Sequence, residues 1–246
     1  MSAHLVEMFS SIQGEGPFLG LRQIFLRFAG CNLHCAYCDT RHNVGPVFRV
    51  ETAAGSGNFV HHANPATPGD TAKIISGFAL KYIHSLSLTG GEPLLHPGFI
   101  KELKHLLADH NLPFYLETNG TLADRLADVI NCIDIISMDM KLPSATKGPV
   151  QWDLHREFLR IGIRKKIYVK TVVTGETTAA EISQASRVIR EIDAHIPLVI
   201  QPVDPLSVPP HSVVTVQQLF KFQETCLNYL ADVRVIPQTH KVLGQL

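Results

Sequence analysis

Three cysteines stand close together in one short segment of the chain: Cys31, Cys35 and Cys38. Thiolates at this spacing can all reach one metal centre. A structural zinc site usually has four protein ligands, and no fourth cysteine or histidine stands at a matching distance, although His34 and His42 lie nearby. Three cysteines on a 4Fe–4S cluster leave the fourth iron open, where a small molecule can bind and accept an electron. The spacing therefore favours a redox-active iron–sulfur cluster over a zinc knuckle.

The other two cysteines, Cys132 and Cys226, fall in or beside predicted helices and are expected to be core residues.

The composition of the chain argues against several classes of binding partner and cellular compartment. The 246 residues carry 22 Lys and Arg against 22 Asp and Glu, so no basic field predicts binding to nucleic acid or to a membrane surface. Residues 1–9 lack the pattern of a signal peptide, and no apolar run reaches the length of a membrane span. An odd number of cysteines, three of them clustered, does not suggest a secreted disulfide scaffold. We expect a reducing, cytoplasmic setting with no nucleic-acid or membrane partner.

Strand-like and helix-like segments alternate along most of the chain, which predicts βαβ units and a parallel sheet. The predicted strands are 22–28, 85–88, 114–116, 133–138, 167–173, 198–200 and 233–236. The length suits an α/β fold, an incomplete (β/α) barrel of about six parallel strands, better than a full eight-fold barrel. Residues 42–69 are rich in His, Gly, Asn, Pro and Thr and predict a long loop or insertion. We expect a single domain over 1–246.

Polar motifs follow the predicted strands where each one ends. They are Cys31–Cys38, Thr89–Pro93, Glu117–Gly120, Ser137–Lys141 and Gln201–Asp204, with Lys170 inside the fifth strand. The carboxyl ends of parallel strands meet at one end of such a fold, where ligands bind. The sequence therefore predicts one composite site.

Two of these motifs carry a resemblance to a known superfamily. The Cys-x3-Cys-x2-Cys spacing with an aromatic residue at Tyr37, followed one strand later by Gly90-Gly91-Glu92-Pro93, resembles the radical S-adenosylmethionine (radical SAM) enzymes. That resemblance implies a 4Fe–4S cluster whose open iron is chelated by the amino and carboxylate groups of S-adenosylmethionine. Glycines let a backbone approach a ligand closely, and the exposed carbonyls with Glu92 suit an ammonium group.

Four further segments narrow the resemblance. Residues 11–16, 25–33, 38–40 and 237–244 are similar to the 7-carboxy-7-deazaguanine synthase family of deazapurine (queuosine-type) biosynthesis. The resemblance implies a lyase that converts 6-carboxy-5,6,7,8-tetrahydropterin to 7-carboxy-7-deazaguanine with loss of ammonia. It also implies that cluster and cofactor carry the radical chemistry, with no catalytic side chain.

The resemblance assigns roles by matching position. Cys31, Cys35 and Cys38 would hold the cluster, and Thr40 would help to bind Mg²⁺. The S-adenosylmethionine contacts would be Tyr37, Asp39, Gly90, Gly91, Glu92, Ser137, Asp139 and Gln201. The substrate contacts would be Ile12, Gln13, Gly14, Glu15, Arg27, Thr89 and Leu246. Arg27 would pair with the substrate carboxylate, because its planar guanidinium suits bidentate recognition.

The resemblance also suggests a homodimer and a reductase or flavodoxin-type electron donor. The segment from Ser137 to Lys141 is longer than the Ser-Pro-Lys common in the family, and 42–69 has no evident counterpart. Two alternatives share the cysteine motif: a radical-generating activase that acts on a protein, and a non-enzymatic zinc or iron–sulfur module. Residues 11–16 and 237–244 disfavour the activase, since a protein substrate needs no pterin-sized pocket.

Overall fold

The computed structural model describes residues 1–36, 38, 45–242 and 244, with the side chains of 241 and 242 left aside. Its strands are β1 Leu5–Ile12, β2 Arg22–Phe28, β3 Val47–Glu51, β4 Phe59–Ala63, β5 Ser85–Gly90, β6 Phe114–Thr118, β7 Ile135–Asp139, β8 Lys166–Val173, β9 Leu198–Pro202 and β10 Val233–Val235. Its helices are α1 Pro68–Ser76, α2 Pro97–Leu106, α3 Ala123–Val129, α4 Pro143–Thr146, α5 Trp152–Gly162, α6 Ala179–Arg190, α7 Val216–Leu227 and α8 Thr239–Val242.

The strands form one sheet in the order β10-β9-β8-β7-β6-β5-β2-β1-β3-β4. All seven strands predicted from the sequence are present, and they run parallel from β2 through β5 to β10. Within the described residues the sheet does not close between β10 and β4. The expected α/β fold with an open, incomplete parallel barrel is therefore confirmed.

The helices cover the outer face of this sheet and leave its inner face for the site. Helix α2 buries Phe99, Ile100 and Leu103 on one side, as its apolar spacing predicts. Helix α6 begins with a capping box, in which Thr178 and Glu181 bond each other's backbone N–H groups. Because the outer helices supply the apolar core, polar side chains can occupy the interior of the barrel. No helix in the described residues is long and apolar enough to cross a bilayer.

The expectation of a long loop at 42–69 is wrong for the part that the structure describes. Strands β3 and β4 form an antiparallel hairpin, and β3 joins the sheet parallel to β1. Strand β3 does alternate, with Phe48 and Val50 buried, but five residues between glycine- and proline-rich flanks give a weak signal. Helix α1 then begins at Pro68, and its cap is Thr67, whose hydroxyl accepts from the backbone N–H of Asp70.

Strand β1 was not expected, because the sequence placed the first strand at 22–28. It pairs antiparallel with β2 and is buried on both faces. Its buried side chains include polar ones on both faces, among them Glu7, Ser10 and Ser11. An apolar alternation therefore never develops, although the segment is a central strand of the sheet.

Candidate active site

A single cavity lies at the carboxyl ends of the parallel strands and contains residues from every predicted polar motif. Its walls include all three clustered cysteines, Thr89 to Gly91 after β5, Glu117 to Asn119 at the end of β6, and Ser137, Asp139, Lys170 and Gln201. The loop after β1 and the carboxyl-terminal segment complete the wall with residues such as Gly14 and His240. The topology thus brings motifs far apart in sequence into one site.

The cysteine loop supplies a donor set that suits a cluster. Cys31 and Cys35 are partly buried and Cys38 is exposed at the cavity. Burial raises the pKa of the Cys31 and Cys35 thiols, so a metal centre has to displace their protons on binding. Among the described residues, no three His, Cys, Asp or Glu side chains converge on a point that one metal ion could occupy.

The glycines of the second motif dock it against the start of the cysteine loop. Gly90 has φ +102°, and a Cβ on it would lie 2.4 Å from the carbonyl oxygen of Phe28. A Cβ on Gly91 would lie 1.7 Å from the carbonyl oxygen of Gly30. The backbone N–H groups of Gly91 and Glu92 donate to those same carbonyls, of Phe28 and Gly30, at 2.8 Å. Only glycine permits this close approach, which leaves both glycines on the cavity wall beside the cysteines.

Glu92 is not among the residues that line the cavity, and its role beside an ammonium group stays a prediction. It is fully buried, and its carboxylate accepts from the Leu94 N–H at 3.0 Å, the Thr118 hydroxyl at 2.9 Å and the Asn119 N–H at 2.9 Å. Burial raises the pKa of Glu92 to about 7, against the lowering effect of these donors. Glu92 therefore ties the end of β5 to the end of β6.

Asn119 connects the buried Glu92 to the cysteine loop. Its amide nitrogen lies 2.8 Å from the side-chain oxygen of Asn32 and 3.7 Å from the sulfur of Cys31. The hydroxyl of Thr121 accepts from the Asn32 amide at 2.9 Å. Asn119 thus donates toward a predicted cluster thiolate, a contact that the sequence did not assign.

The loop after β1 builds the opposite wall from Ile12, Gln13, Gly14 and Glu15. The buried Gln13 amide donates to Gln23 and to Glu117, each at 3.1 Å. These bonds fix the loop inside the barrel. Ile12, at the end of β1, is partly exposed and lines the same cavity.

The carboxyl-terminal segment packs directly on this loop. The Thr239 N–H donates to the carbonyl oxygen of Gly14 at 3.0 Å, and Gln238 donates to Glu15 at 2.7 Å. A Cβ on Gly14 would lie 2.3 Å from Nδ1 of His240, so glycine is needed for the contact. Residues 238–240 therefore pack on the loop after β1.

A buried network of charges lies at the centre of the cavity. The Lys170 ammonium is paired with Glu15 and lies 3.5 Å from Asp139, whose other neighbour is the Lys141 ammonium at 2.9 Å. Burial alone would raise the pKa of Glu15, but Lys170 and the Gln238 amide lower it to about 2. Burial likewise opposes the effect of Lys141 and Lys170 on Asp139, whose pKa they lower. Both carboxylates are therefore ionised at neutral pH.

Two buried acceptor atoms of residues that line the cavity have no hydrogen-bond partner among the described residues. The side-chain oxygen Oε1 of Gln201 and Oδ1 of Asp139 are buried without a hydrogen-bond partner there. Buried acceptors are normally satisfied, so both atoms suit a ligand that presents donors. The amino and hydroxyl groups of S-adenosylmethionine supply such donors, and Ser137 lies in the same wall. These residues fit the expected cofactor.

Arg27 and Thr89 stand side by side on β2 and β5 and both line the cavity. The guanidinium of Arg27 lies 3.0 Å from the carboxylate of Glu7 and 5.5 Å from the ring centre of Phe9. The hydroxyl of Thr89 donates to Glu117 at 2.7 Å. The predicted carboxylate-binding arginine is therefore positioned by its own partner and faces the site.

Four predicted contacts lie outside the described residues: Tyr37, Asp39, Thr40 and Leu246. Thr40 is the residue that the resemblance assigns to Mg²⁺.

Glu117 belongs to a motif that the sequence placed at the site, but the sequence assigned it no role of its own. Its carboxylate accepts from Gln13, Thr89 and the Ser87 hydroxyl, at 3.1, 2.7 and 3.2 Å. Its position at the end of a predicted strand was the available signal. Its partners come from strand β5 and from the loop after β1, so its place at the centre of the wall follows only from the assembled sheet.

Comparison with known proteins agrees with this geometry. Residues 26–172 match the Radical SAM superfamily. The chain is 43% identical over 252 residues to a 7-carboxy-7-deazaguanine synthase of Geobacter sulfurreducens, with 99% of this chain and 98% of that protein covered. It is 36% identical over 263 residues to the 7-carboxy-7-deazaguanine synthase of Methanothermobacter thermautotrophicus, with coverage of 99% and 98%.

Solved structures support the fold. The crystal structure of QueE from Escherichia coli superposes with a TM-score of 0.59 at 21% identity, over 98% of this chain and 95% of that one. A radical SAM methyltransferase from Sphaerobacter thermophilus superposes with a TM-score of 0.60 at 13% identity, over 94% and 77%. At these identities the similarity concerns the fold alone.

Proposed function

The chain belongs to the radical SAM superfamily and to the 7-carboxy-7-deazaguanine synthase family, and from this premise we propose how its own residues act. The reaction is the conversion of 6-carboxy-5,6,7,8-tetrahydropterin to 7-carboxy-7-deazaguanine with loss of ammonia. The observation that carries the proposal is that the three cysteines share one cavity with Gln13, Glu15 and Arg27. A radical source and a pterin-sized polar wall thus face the same space.

The protein's part is to hold, orient and enclose the reactants. A 4Fe–4S cluster and S-adenosylmethionine, when bound, supply the radical that takes a hydrogen atom from C6 of the pterin. Cys31, Cys35 and Cys38 hold the cluster, and the Gly90–Gly91 backbone brings the cofactor against it. Ser137, Asp139 and Gln201 contact the cofactor from the far wall.

The substrate side of the cavity is polar and enclosed. Arg27 binds the substrate carboxylate, and the Gln13–Glu15 loop with Thr89 contacts the pterin ring. Glu117 accepts hydrogen bonds from Gln13 and Thr89 and so fixes both of these groups. The carboxyl-terminal segment covers the pterin and excludes water, which keeps the radical from side reactions.

Several properties of the enzyme belong to the proposal through family resemblance. They are Mg²⁺ bound with the help of Thr40, closure by Leu246, and contacts from Tyr37 and Asp39 to the cofactor. They also include a homodimer, a flavodoxin-type or reductase electron donor, a cytoplasmic setting and a single domain over 1–246. An oxygen-sensitive cluster is the chemical reason for a reducing compartment.

The cluster assignment is tested by replacing cysteines one at a time under anaerobic conditions. Cys35→Ala removes one ligand, so both bound iron and deazapurine formation should fall to background. Cys132→Ala is the matched control, because Cys132 lies in the helical layer away from the cavity and packs against the core. It should retain iron and turnover. Full activity in Cys35→Ala would contradict the assignment, and a colourless wild-type protein with one zinc would favour a metal-binding module.

A further inference from the structure

A row of three charged side chains crosses three neighbouring strands and ends at the substrate wall, beside Thr89 on a fourth strand. The strand pairing places Arg49 on β3 beside Glu7 on β1, Glu7 beside Arg27 on β2, and Arg27 beside Thr89 on β5. Residues paired in register point to the same face of a sheet. Arg49 and Glu7 do not line the cavity, whereas Arg27 and Thr89 do. The row therefore connects the β3–β4 hairpin to the site.

The contacts within this row are close and ionic. The Glu7 carboxylate is buried, with one oxygen 3.0 Å from Nε of Arg27. Its other oxygen accepts from Nε of Arg49 at 2.7 Å and lies 2.5 Å from a terminal nitrogen of Arg49. The Arg49 guanidinium in turn lies 4.4 Å from the ring centre of Phe59 on β4. Both strands of the hairpin thus take part in holding Arg49 on Glu7.

The row contains two arginines and one glutamate, so it leaves a net positive charge beside the cavity. A buried carboxylate needs a cationic partner, and one arginine would be sufficient to neutralise Glu7. With Arg27 as its sole partner, the positive charge at the cavity wall would be cancelled by Glu7. Because Arg49 shares Glu7 from the far side, the three side chains retain one net positive charge. That charge lies on the side where Arg27 faces the cavity.

We propose that Glu7 and Arg49 are positioning residues for Arg27, and that the β3–β4 hairpin thereby sets the affinity of the site for the substrate carboxylate. The ion pair with Glu7 keeps the Arg27 guanidinium at the cavity wall, although Nε of Arg27 forms no aligned hydrogen bond with the carboxylate. Arg49 occupies the second oxygen of Glu7 and preserves the positive charge of Arg27. This inference rests on the proposed function, because it concerns recognition of a carboxylated pterin.

The test compares two ligands that differ only in the carboxylate. Calorimetry is carried out anaerobically on the reconstituted holoenzyme with S-adenosylmethionine but without reductant, so that no turnover occurs. The ligands are 6-carboxy-tetrahydropterin and tetrahydropterin without the carboxylate. Arg49→Met, which keeps the side-chain volume, should raise Kd for the carboxylated ligand about tenfold, the effect of one charge at a partly buried distance. Kd for the unsubstituted ligand should stay within about twofold of the wild type.

Three reference variants separate positioning from general damage. Arg27→Met should remove the preference for the carboxylated ligand, and Arg49→Lys should restore most of it. Arg156→Met breaks ion pairs with Glu191 and Asp153 on the outer helices and should leave both affinities unchanged. If Arg49→Met fails to fold, Arg49→Gln provides the same measurement, with thermal unfolding as the check.

The outcomes distinguish this inference from the function on which it rests. If Arg49→Met raises Kd equally for both ligands, or leaves the preference for the carboxylated ligand unchanged, the positioning role is overturned. Binding of the carboxylated pterin by the wild type would still uphold the proposed function in that case. A wild-type holoenzyme that binds neither pterin would overturn the proposed function and this inference together.

Discussion

At the scale of single residues, the site depends on buried polar side chains that hold one another in place. Glu92 accepts three hydrogen bonds and fixes Asn119, which donates toward Cys31. Glu15 and Lys170 form a buried ion pair in the opposite wall. Such groups are costly to bury alone, so each is sensitive to the loss of its partner.

Asn119→Ala tests the contact to the cluster sulfur. A hydrogen bond to a ligating thiolate stabilises the more negative, reduced cluster, so its loss should lower the midpoint potential. We expect a shift of about 40 mV, the one-electron equivalent of about 1 kcal/mol. Electron paramagnetic resonance during a redox titration measures it. Asn228→Ala, on the surface of α7, is the control, and equal potentials in both variants would argue against the contact.

Lys170→Met tests the buried ion pair. The variant leaves the Glu15 carboxylate buried without its cation, which should reduce the free energy of unfolding by about 3–5 kcal/mol at neutral pH. Adding Glu15→Gln should recover a large part of the loss. Lys104→Met, which breaks a partly exposed pair with Asp134, should cost about 1 kcal/mol or less. Urea unfolding provides the comparison, and equal losses in the two single variants would contradict the account.

The same pair sets a pH dependence. The pKa of Glu15 is about 2 in the folded protein, below the ordinary value of 4.5 that it has when unfolded. Its contribution to stability is therefore fully present above pH 4.5 and is lost as the pH falls from 4.5 toward 2. Glu15→Gln should make the unfolding free energy less dependent on pH across that window, as acid titrations of both proteins would show. An unchanged slope would mean that Glu15 is not ionised by this pairing.

At the scale of elements, loops from both ends of the chain meet over the site. The loop after β1 passes into the barrel, and the segment before α8 packs on it through Gly14. The β3–β4 hairpin contributes from the side through Arg49. These three elements are irregular or short, whereas the parallel strands supply the rigid wall that they cover.

Gly14→Ala tests whether the carboxyl-terminal segment covers the site. The added methyl group would overlap the backbone nitrogen of His240 at 2.6 Å, so the carboxyl-terminal segment must shift. If that segment encloses the pterin, as proposed, KM should rise about tenfold while kcat changes little, the pattern of lost uniform binding. Gly69→Ala is the matched control, because a Cβ there meets nothing closer than 3.9 Å. Steady-state kinetics that do not distinguish the two variants would refute the covering role.

The elements also show what the sequence could predict. The parallel strands were found because each is an apolar run between helices, and their order placed the polar motifs together. Strand β1 was missed because Glu7, Ser10 and Ser11 are buried polar residues, which removes the apolar alternation. The roles of Glu117, Asn119 and Lys170 depend on partners from distant strands, so they follow from the sheet order and not from local spacing.

At the scale of the whole molecule, one open sheet carries both halves of the chemistry. The cysteine loop carries the motif of the radical SAM superfamily. Residues 11–16 and 237–244, which meet over the cavity, carry the resemblance to the synthase family. The central claim is that a radical generated at the cysteine loop acts on a carboxylated pterin a short distance away in the same cavity. The proposed function also includes regeneration of the cofactor, which is not consumed by turnover.

The most direct test counts product against cofactor in an anaerobic assay of the reconstituted protein. It contains reductant, Mg²⁺, 6-carboxy-tetrahydropterin and less S-adenosylmethionine than substrate, and mass spectrometry quantifies both species. The account predicts several equivalents of 7-carboxy-7-deazaguanine for each S-adenosylmethionine, most of which remains intact. An intact cluster that cleaves S-adenosylmethionine and yields no deazapurine would contradict it.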